Sequence, residues 1–211
     1  DPGFVPPDSD AVQHALARQD WRSLRWDRAS RQALQPGGVW LDLSAIAKGH
    51  AVDLVSRRLT AMGIGHSLVE VGGELRGQGL RPDGQPWWVD LETPPAQSGQ
   101  PPLPTTRVAL HGLCVATSGD YRRVYTHHGQ RRPHTLDPRH GQPVSHGLAS
   151  VSVVHTECLW ADAWSTALTV LGLQDGLALA SAHGVAALFV QREADGRLTE
   201  TLSPAMEALA E

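Results

Sequence analysis

The segment LWADAWSTALTVLG, residues 159–172, carries its polar side chains at helical spacing. Asp162, Ser165, Thr166 and Thr169 recur at i, i+3, i+4 and i+7, so a helix would place them in one stripe. The stripe could be the solvent side of an amphipathic helix, with Asp162 as a carboxylate near the helix N-terminus. A solvated stripe usually holds Lys, Glu or Arg, whereas this one holds only short oxygen-bearing side chains. Asp and Thr one turn apart can direct two oxygens at a hard cation such as Mg²⁺, and spacing alone leaves both interpretations open.

A second candidate is Lys48 in LSAIAKGHAVD, which stands in the first turn of a predicted helix. A lysine at that position opposes the helix macrodipole, and the segment alone favours an ordinary solvated side chain. Alternatively, the Lys48 ammonium and the free N–H groups at the helix start form an anion site suited to a phosphate. The segment lacks the spacing of a P-loop.

Two glycine-containing segments could approach a ligand closely. In VEVGGELRG, Gly72 and Gly73 separate two strand-like runs, and a plain hairpin turn is the favoured interpretation. Strand alternation places Glu70 and Glu74 on the same side of this hairpin if the turn does not disturb it.

The second of these segments, VATSGDYRR, combines hydroxyl side chains with a glycine. Thr117, Ser118 and Gly119 follow a predicted strand and offer hydroxyl and backbone donors, as phosphate-holding turns do. An ordinary strand-to-helix cap, with Ser118 or Asp120 as N-cap, explains the segment equally well.

His134 lies in RRPHTLDPRHGQPV, a stretch rich in turn-forming residues. Loops carry a disproportionate share of functional residues, although a single histidine is most often without a catalytic role. The histidines of this region have neither helical i, i+4 spacing nor partner cysteines, so the sequence does not predict a zinc site.

The composition limits the class of protein. A chain of 211 residues is long enough for one domain with a substantial core. The formal net charge of −4, without a Lys/Arg run, gives no basis for nucleic-acid binding. No apolar run approaches the roughly 20 residues of a transmembrane segment. Cys114 and Cys158 could pair in an oxidising compartment or remain as buried free thiols.

Hydrophobic periodicity predicts an α+β or mixed α/β fold, mainly β-sheet with a few packed helices. We expect helices at about 10–18, 45–62, 159–171 and 203–210. The second begins after a Ser44 cap and buries Ala51, Leu54, Val55, Leu59 and Met62. Strands are expected around 39–43, on both sides of the Gly72-Gly73 turn, from Trp87, across VALHGLCVATSG, at 148–155 as a half-buried strand, and in GVAALFVQ followed by a hairpin.

Five motifs in this order resemble the ApbE family, the FAD:protein FMN transferases. They are LDLSAIAKGHAVD, LVEVGGELRG, ATSGDYRR, HTLDPRHGQPV and ADAWSTALTVLG. The family forms are G-x-I-A-K-G-Y-A-V-D, V-[N/E]-x-G-G-[D/E], A-T-S-G-D-Y, H-x-[I/L]-D-P-x-T-G-x-P and A-D-A-x-x-T. The matches span nearly two thirds of the chain, and five ordered motifs make a chance match very improbable.

The resemblance implies an Mg²⁺-dependent enzyme that cleaves FAD, attaches FMN through a phosphoester to a threonine of a target flavoprotein, and releases AMP. By motif position, Asp162 and Thr166 would bind the metal together with the backbone carbonyl of Ala45. The FAD site would include Lys48, Glu70, the Gly72-Gly73 turn and Thr117, Ser118 and Gly119. His134 would be the base for the incoming hydroxyl, and Asp162 would belong to the catalytic centre.

Three positions depart from the family pattern. Ser44 replaces the usual Gly, His50 the usual Tyr, and His140 the usual Thr of D-P-x-T-G, which would alter that turn. The match begins almost at the first residue, whereas members generally carry about 100 further N-terminal residues. We therefore expect a single ApbE-like domain over residues 1–211 that lacks the usual N-terminal portion.

Two alternatives keep the same site. Some relatives hydrolyse FAD to FMN and AMP, and a non-catalytic flavin-binding or assembly module would also carry these motifs. The resemblance further implies an acceptor flavoprotein displaying a Ser/Thr-rich loop. It also implies a periplasmic location, with membrane anchoring through a removed lipoprotein signal.

Overall fold

The computed structural model describes residues 5–121, 124–127 and 130–209. Within these ranges the helices are α1 (Ser9–Leu16), α2 (Ala47–Ala61), α3 (Cys158–Leu171), α4 (Leu173–His183) and α5 (Pro204–Glu207), with a 3₁₀ turn at Trp21–Ser23. The strands are β1 (Arg25–Asp27), β2 (Gln32–Leu34), β3 (Ser67–Val71), β4 (Glu74–Gln78), β5 (Trp87–Asp90), β6 (Arg107–Leu110), β7 (Leu113–Gly119), β8 (Val124–His127), β9 (Gln130–Pro133), β10 (Leu136–Asp137), β11 (Gln142–Pro143), β12 (Leu148–His155), β13 (Ala186–Arg192) and β14 (Leu198–Leu202). The prediction of an α+β fold is confirmed.

A six-stranded antiparallel sheet with the order β14-β13-β12-β7-β4-β3 organises the described part of the chain. The hairpins that were expected around Gly72-Gly73 and after GVAALFVQ form its two edges. Four two-stranded ribbons, β1-β2, β5-β6, β8-β9 and β10-β11, lie outside this sheet. None of the described helices is long and apolar enough to cross a bilayer.

The central strand β12 is buried on both faces, so the expectation of a half-buried strand was wrong. On one face, Val151 and Val153 pack with Ala161 and Leu168 of α3. On the other, Val154 belongs to a cluster that includes residues from the β5-β6 ribbon and α5. The helices therefore shield one side of the sheet and the ribbon with α5 shields the other, leaving no face of β12 for solvent.

Helix α2 buries only part of the apolar face that was predicted. Its buried residues are Gly49, Val52, Asp53 and Ser56, whereas Leu54, Val55 and Met62 are exposed. Leu59, in contrast, is half-buried and packs against the cluster that contains Val52. The apolar period was therefore wrong for Leu54, Val55 and Met62, because tertiary contacts of two polar residues override it. The predicted Ser44 cap was also wrong: Ile46 is the N-cap and makes no side-chain capping hydrogen bond.

Several expected elements differ in extent. Residues 39–43 form no strand, and Trp40, Leu41 and Leu43 are exposed. VALHGLCVATSG is two strands, β6 and β7, separated by a tight turn at His111 and Gly112. The polar stretch 120–146 contains the short ribbons β8-β9 and β10-β11, and α4 was not predicted at all. The final helix is confirmed in a shorter form, with the Ser203 side chain accepting from the Met206 N–H.

Candidate active site

Asp162 of α3 lies against the first turn of α2. Its Oδ2 accepts a hydrogen bond from the Gly49 backbone N–H at 2.9 Å, and the residue is only 1% exposed. A Cβ on Gly49 would overlap the Cys158 carbonyl and lie 2.8 Å from the Asp162 Cβ. Glycine at position 49 therefore allows the two helices to come close enough for this carboxylate to cap α2.

Asp53 of α2 makes the reciprocal contact, which sequence reasoning did not predict. Its Oδ1 accepts from the Cys158 N–H at 3.0 Å and its Oδ2 from the Leu159 N–H at 2.9 Å. Arg76 adds a salt bridge to Asp53 at 3.2 Å. The only sequence signal was an aspartate inside the LSAIAKGHAVD motif. Its role here is to satisfy the free N–H groups at the start of α3.

Lys48 joins two buried carboxylates that come from different elements. Its ammonium forms an ion pair with Glu74 Oε1, and it lies 3.9 Å from Asp162 Oδ1. Gly72 makes room for the lysine stem, since a Cβ there would be 3.1 Å from Lys48 Cδ. The side chain of Lys48 is 42% exposed, whereas both carboxylates are almost completely buried. Lys48 is thus paired rather than simply solvated.

Burial dominates the electrostatics of these two carboxylates. Desolvation raises the pKa of Asp162 above its ordinary value, and the Gly49 hydrogen bond and the Lys48 charge oppose that rise. Desolvation likewise raises the pKa of Glu74, against the hydrogen bond and charge of Lys48. Both ionised forms depend on a nearby positive charge.

The polar stripe of α3 faces the sheet, so its interpretation as a solvent-facing stripe was wrong. Ser165 and Thr169 are buried with Asp162, and Thr166 is half-buried. The Ser118 hydroxyl lies 2.9 Å from the hydroxyls of both Ser165 and Thr166. Strand β7 thus contacts α3 at Thr166, one turn after Asp162.

Thr117, Ser118 and Gly119 are the last residues of β7 and do not form a turn. The next element among the described residues is strand β8, so the segment is not a strand-to-helix cap either. Each pairs in register with β12. The Thr117 hydroxyl lies 2.8 Å from the Ser152 hydroxyl, on the strand face opposite Ser118. Gly119 is closely packed, because a Cβ would be 3.2 Å from the Ala149 carbonyl and would overlap the Tyr121 ring. Only Ser118 of this set reaches the Asp162 helix.

The Gly72-Gly73 turn is a two-residue hairpin in which both glycines have positive φ, 64° and 100°. Val71 pairs with Glu74, and Glu70 pairs with Leu75. Glu70 and Glu74 therefore lie on opposite faces, and the expectation that they share a side was wrong. Glu70 is exposed and accepts from the Gly73 N–H at 3.2 Å. Glu74, not Glu70, contacts Lys48.

A cleft of 580 Å³ lies between the start of α2, the β10 loop and α3. Ala45 and Thr166 both line it, and the remaining lining residues are mainly apolar: Ile46, Leu136, Pro138, Arg139, Ala163, Ala167, Val170 and Leu171. Because Gly49 donates to Asp162, no backbone N–H in the described ranges donates to the Ala45 carbonyl. That carbonyl oxygen is available to a ligand.

His134 lies between β9 and β10 and is exposed. Two residues later, Leu136 lines the cleft, so His134 belongs to a loop that borders it. The following turn is held by Asp137, which is bound by Arg139 and lies 3.2 Å from His140 Nε2. His140, which replaces the usual threonine of the family motif, thus places its imidazole against the Asp137 carboxylate.

Oxygen ligands, rather than a cluster of acidic residues, define the predicted metal position. The described residues include no group of three or more His, Cys, Asp or Glu that could hold a metal ion. Asp162, Thr166 and the Ala45 carbonyl combine one carboxylate with two neutral oxygens, a set of hard donors. Cys114 and Cys158 are both buried and free.

Known proteins share this sequence and fold. The ApbE family profile matches residues 2–189. The chain is 38% identical over 197 residues to the FAD:protein FMN transferase of Vibrio cholerae serotype O1, covering 92% of this chain and 57% of the relative. It is 36% identical over 172 residues to that of Salmonella typhimurium, covering 81% and 48%. The apo form of the Pseudomonas stutzeri flavinyl transferase ApbE superposes with a TM-score of 0.86 at 41% identity, covering 98% of this chain and 62% of that one.

The chain spans about half the length of these curated relatives, between 48% and 57%. The family match nevertheless includes every motif from LSAIAKGHAVD to ADAWSTALTVLG, and therefore the Lys48–Asp162 contact and the cleft beside it. Because the family profile matches most of its residues, the chain belongs to the ApbE family.

Proposed function

We propose that this chain carries the catalytic centre of an Mg²⁺-dependent FAD:protein FMN transferase. One observation carries the proposal: the first turn of α2 and the polar stripe of α3, 113 residues apart, meet through the Gly49–Asp162 hydrogen bond beside a cleft. The names of its relatives supply the reaction class.

In the proposed reaction, a threonine hydroxyl of the acceptor attacks the FMN phosphorus of FAD. A new phosphoester P–O bond forms, the pyrophosphate P–O bond breaks, and AMP leaves with the bridging oxygen. The hydroxyl proton passes to His134, since imidazole is well suited to accept a proton near neutral pH. Positioning and charge neutralisation, rather than covalent catalysis, supply most of the rate in such phosphoryl transfers.

The proposed magnesium ligands are Asp162, Thr166 and the Ala45 carbonyl. These donors fit a hard cation, because Asp162 Oδ1 makes no hydrogen bond among the described residues and the Ala45 carbonyl accepts no backbone N–H there. A bound magnesium ion would neutralise negative charge on the pyrophosphate. Lys48, which is partly exposed, would add a second positive charge at the same place.

The remaining FAD contacts are proposed from motif position. The Gly72-Gly73 turn lies against the Lys48 stem and Ser118 lies against Thr166, so both are close to the proposed centre. Thr117, Gly119 and Glu70 stay predictions, as does the periplasmic location. The proposed acceptor is a flavoprotein that presents a Ser/Thr-rich loop.

The test is to incubate the chain with FAD and Mg²⁺, with and without an acceptor flavoprotein, and to follow AMP by chromatography and acceptor mass by mass spectrometry. The proposal expects AMP release that depends on the acceptor, and an acceptor mass gain of one FMN less one water. AMP release without an acceptor would instead identify an FAD pyrophosphatase. FAD binding with no AMP release in either arm would identify a flavin-binding module and overturn the proposal.

A further inference from the structure

The Lys48 ammonium has two buried carboxylates within reach but pairs with only one of them. It contacts Glu74 Oε1 directly, whereas Asp162 Oδ1 is 3.9 Å away, beyond hydrogen-bond distance. A modest rotation of the flexible lysine side chain would bring the ammonium onto Asp162 instead. The strength of the Lys48–Glu74 ion pair therefore determines whether the ammonium occupies Asp162 Oδ1.

Glu74 is the rigid partner in this pair. It is 1% exposed, begins β4 directly after the hairpin, and is fixed in register opposite Val71. Its second oxygen, Oε2, is buried without a hydrogen-bond partner among the described residues. Lys48 is thus the positive charge that compensates a poorly solvated carboxylate, and such a carboxylate binds its counterion strongly.

Asp162 has one oxygen left for a cation. Oδ2 is used by the Gly49 N–H, so Oδ1 is the atom that a metal would bind. In the described part of the chain, the Lys48 ammonium is the cation that lies closest to Oδ1. An ammonium bound directly to Oδ1 would compete with a metal for that oxygen.

We propose that Glu74 is a positioning residue that holds the Lys48 ammonium away from Asp162 Oδ1 and so keeps this oxygen available to the cation. This inference rests on the proposed function for the identity of the cation as Mg²⁺. It concerns a residue that motif position did not assign to the site. Glu74 acts through Lys48 and does not itself bind the metal.

The first test measures Mn²⁺ affinity by electron paramagnetic resonance, with Mn²⁺ as the probe for a Mg²⁺ site. The variants are Glu74→Gln, Lys48→Met and the double variant. We expect Glu74→Gln to weaken Mn²⁺ binding roughly tenfold, because an ammonium that starts about 4 Å away moves onto the metal's oxygen. Lys48→Met should abolish the effect of the Glu74 change. The proposal is overturned if Glu74→Gln does not weaken Mn²⁺ binding. It is also overturned if Glu74→Gln weakens binding equally with Lys48 and with Met at position 48, because Glu74 would then act on the metal directly and not through Lys48.

Glu200→Gln is the matched control. Glu200 also has a buried carboxylate oxygen with no hydrogen-bond partner in the described part of the chain. It lies on β14, at the opposite edge of the sheet from β3 and β4. Its replacement removes the same charge and should leave Mn²⁺ affinity unchanged. A loss equal to that of Glu74→Gln would show a net-charge effect and overturn the proposal.

The second test does not require a metal and therefore separates this proposal from the proposed function. Acylation of Lys48 by an amine-reactive reagent is followed by peptide mass spectrometry in metal-free protein. Lys48 should stay slow to react in Asp162→Asn, because its ammonium remains on Glu74. It should also stay slow in Glu74→Gln, because the ammonium moves to Asp162. The double variant should react fast. If Glu74→Gln alone reacts as fast as the double variant, the ammonium does not move to Asp162 and the proposal fails, whether or not the wild type binds Mn²⁺.

Discussion

Asp53 and Asp162 cap each other's helices. Asp53 of α2 accepts from the Cys158 and Leu159 N–H groups at the start of α3, and Asp162 of α3 accepts from the Gly49 N–H in the first turn of α2. The two carboxylates are 3% and 1% exposed, respectively. The helix pair is thus joined by two charge-assisted contacts, and one of the two aspartates is also the proposed metal ligand.

Two variants of Asp162 should separate its role as acceptor for the Gly49 N–H from its proposed role as a metal ligand. Asp162→Asn keeps an oxygen for the Gly49 N–H, so we expect little loss of stability but a loss of Mg²⁺-dependent AMP release of about 100-fold or more. Asp162→Ala leaves that N–H unpaired and should also cost about 1–3 kcal/mol of unfolding free energy. Urea unfolding and AMP chromatography measure the two effects. Normal AMP release by Asp162→Asn would refute the metal role.

Asp53 should behave as a purely structural residue. Replacing it with Ala removes two N–H acceptors and leaves the partly buried Arg76 without its carboxylate, so we expect a loss of about 3 kcal/mol. Asp83→Ala, which removes the exposed Arg81–Asp83 pair and an exposed hydrogen bond from the Gln85 N–H, is the control and should cost about 1 kcal/mol or less. Urea unfolding of both variants checks the difference, and equal losses would contradict it.

Gly49 should tolerate no side chain. A Cβ would overlap the Cys158 carbonyl, so Gly49→Ala must push α2 away from α3. We expect a destabilisation of about 1–3 kcal/mol together with weaker Mn²⁺ binding, since Asp162 loses its anchor. Gly65→Ala is the control, because a Cβ at that position meets open space. Thermal unfolding and Mn²⁺ titration of both variants test the prediction, which fails if Gly49→Ala is as stable as Gly65→Ala.

His134 should affect chemistry but not binding. If it accepts the proton of the incoming hydroxyl, His134→Gln lowers FMN transfer by about 10²–10⁴-fold. Because His134 is exposed, we expect only a small change in stability. A residue that acts only on the incoming hydroxyl should leave FAD affinity unchanged. Acceptor flavinylation is followed by mass spectrometry and FAD binding by fluorescence. A parallel loss of FAD affinity would make His134 a binding residue instead.

Asp137 should make stability depend on pH in the acid range. The side-chain hydrogen bonds of Arg139 lower the pKa of Asp137 to about 2, and His140 adds to this effect. A depressed carboxyl pKa stabilises the fold above the unfolded pKa of about 3.9, and this stabilisation disappears as the pH falls from about 4 to about 2. The stability difference between wild type and Asp137→Asn should therefore be smaller at about pH 3 than at about pH 6. A pH-independent difference in urea unfolding would contradict this.

The sequence by itself determined the local features. The i, i+4 spacing of Asp162 and Thr166 placed both on one face of a helix, and Gly72-Gly73 between two strand-like runs specified the hairpin. These follow from backbone geometry within one or two turns of chain. Hydrophobic periodicity also indicated the α+β fold, and the five ordered motifs indicated the family, because both kinds of pattern can be read from the sequence alone.

Only the tertiary structure decided which way these features face. The α3 stripe is buried because α2 and β7 pack on it, and α2 turns Asp53 inward although Leu54 and Val55 continue the apolar period. Glu74 meets Lys48 from 26 residues away, and Asp162 meets Gly49 from 113 residues away. Periodicity reports side-chain directions relative to one element, whereas pairing across elements depends on strand register and on the close approach that Gly49 allows between the helices.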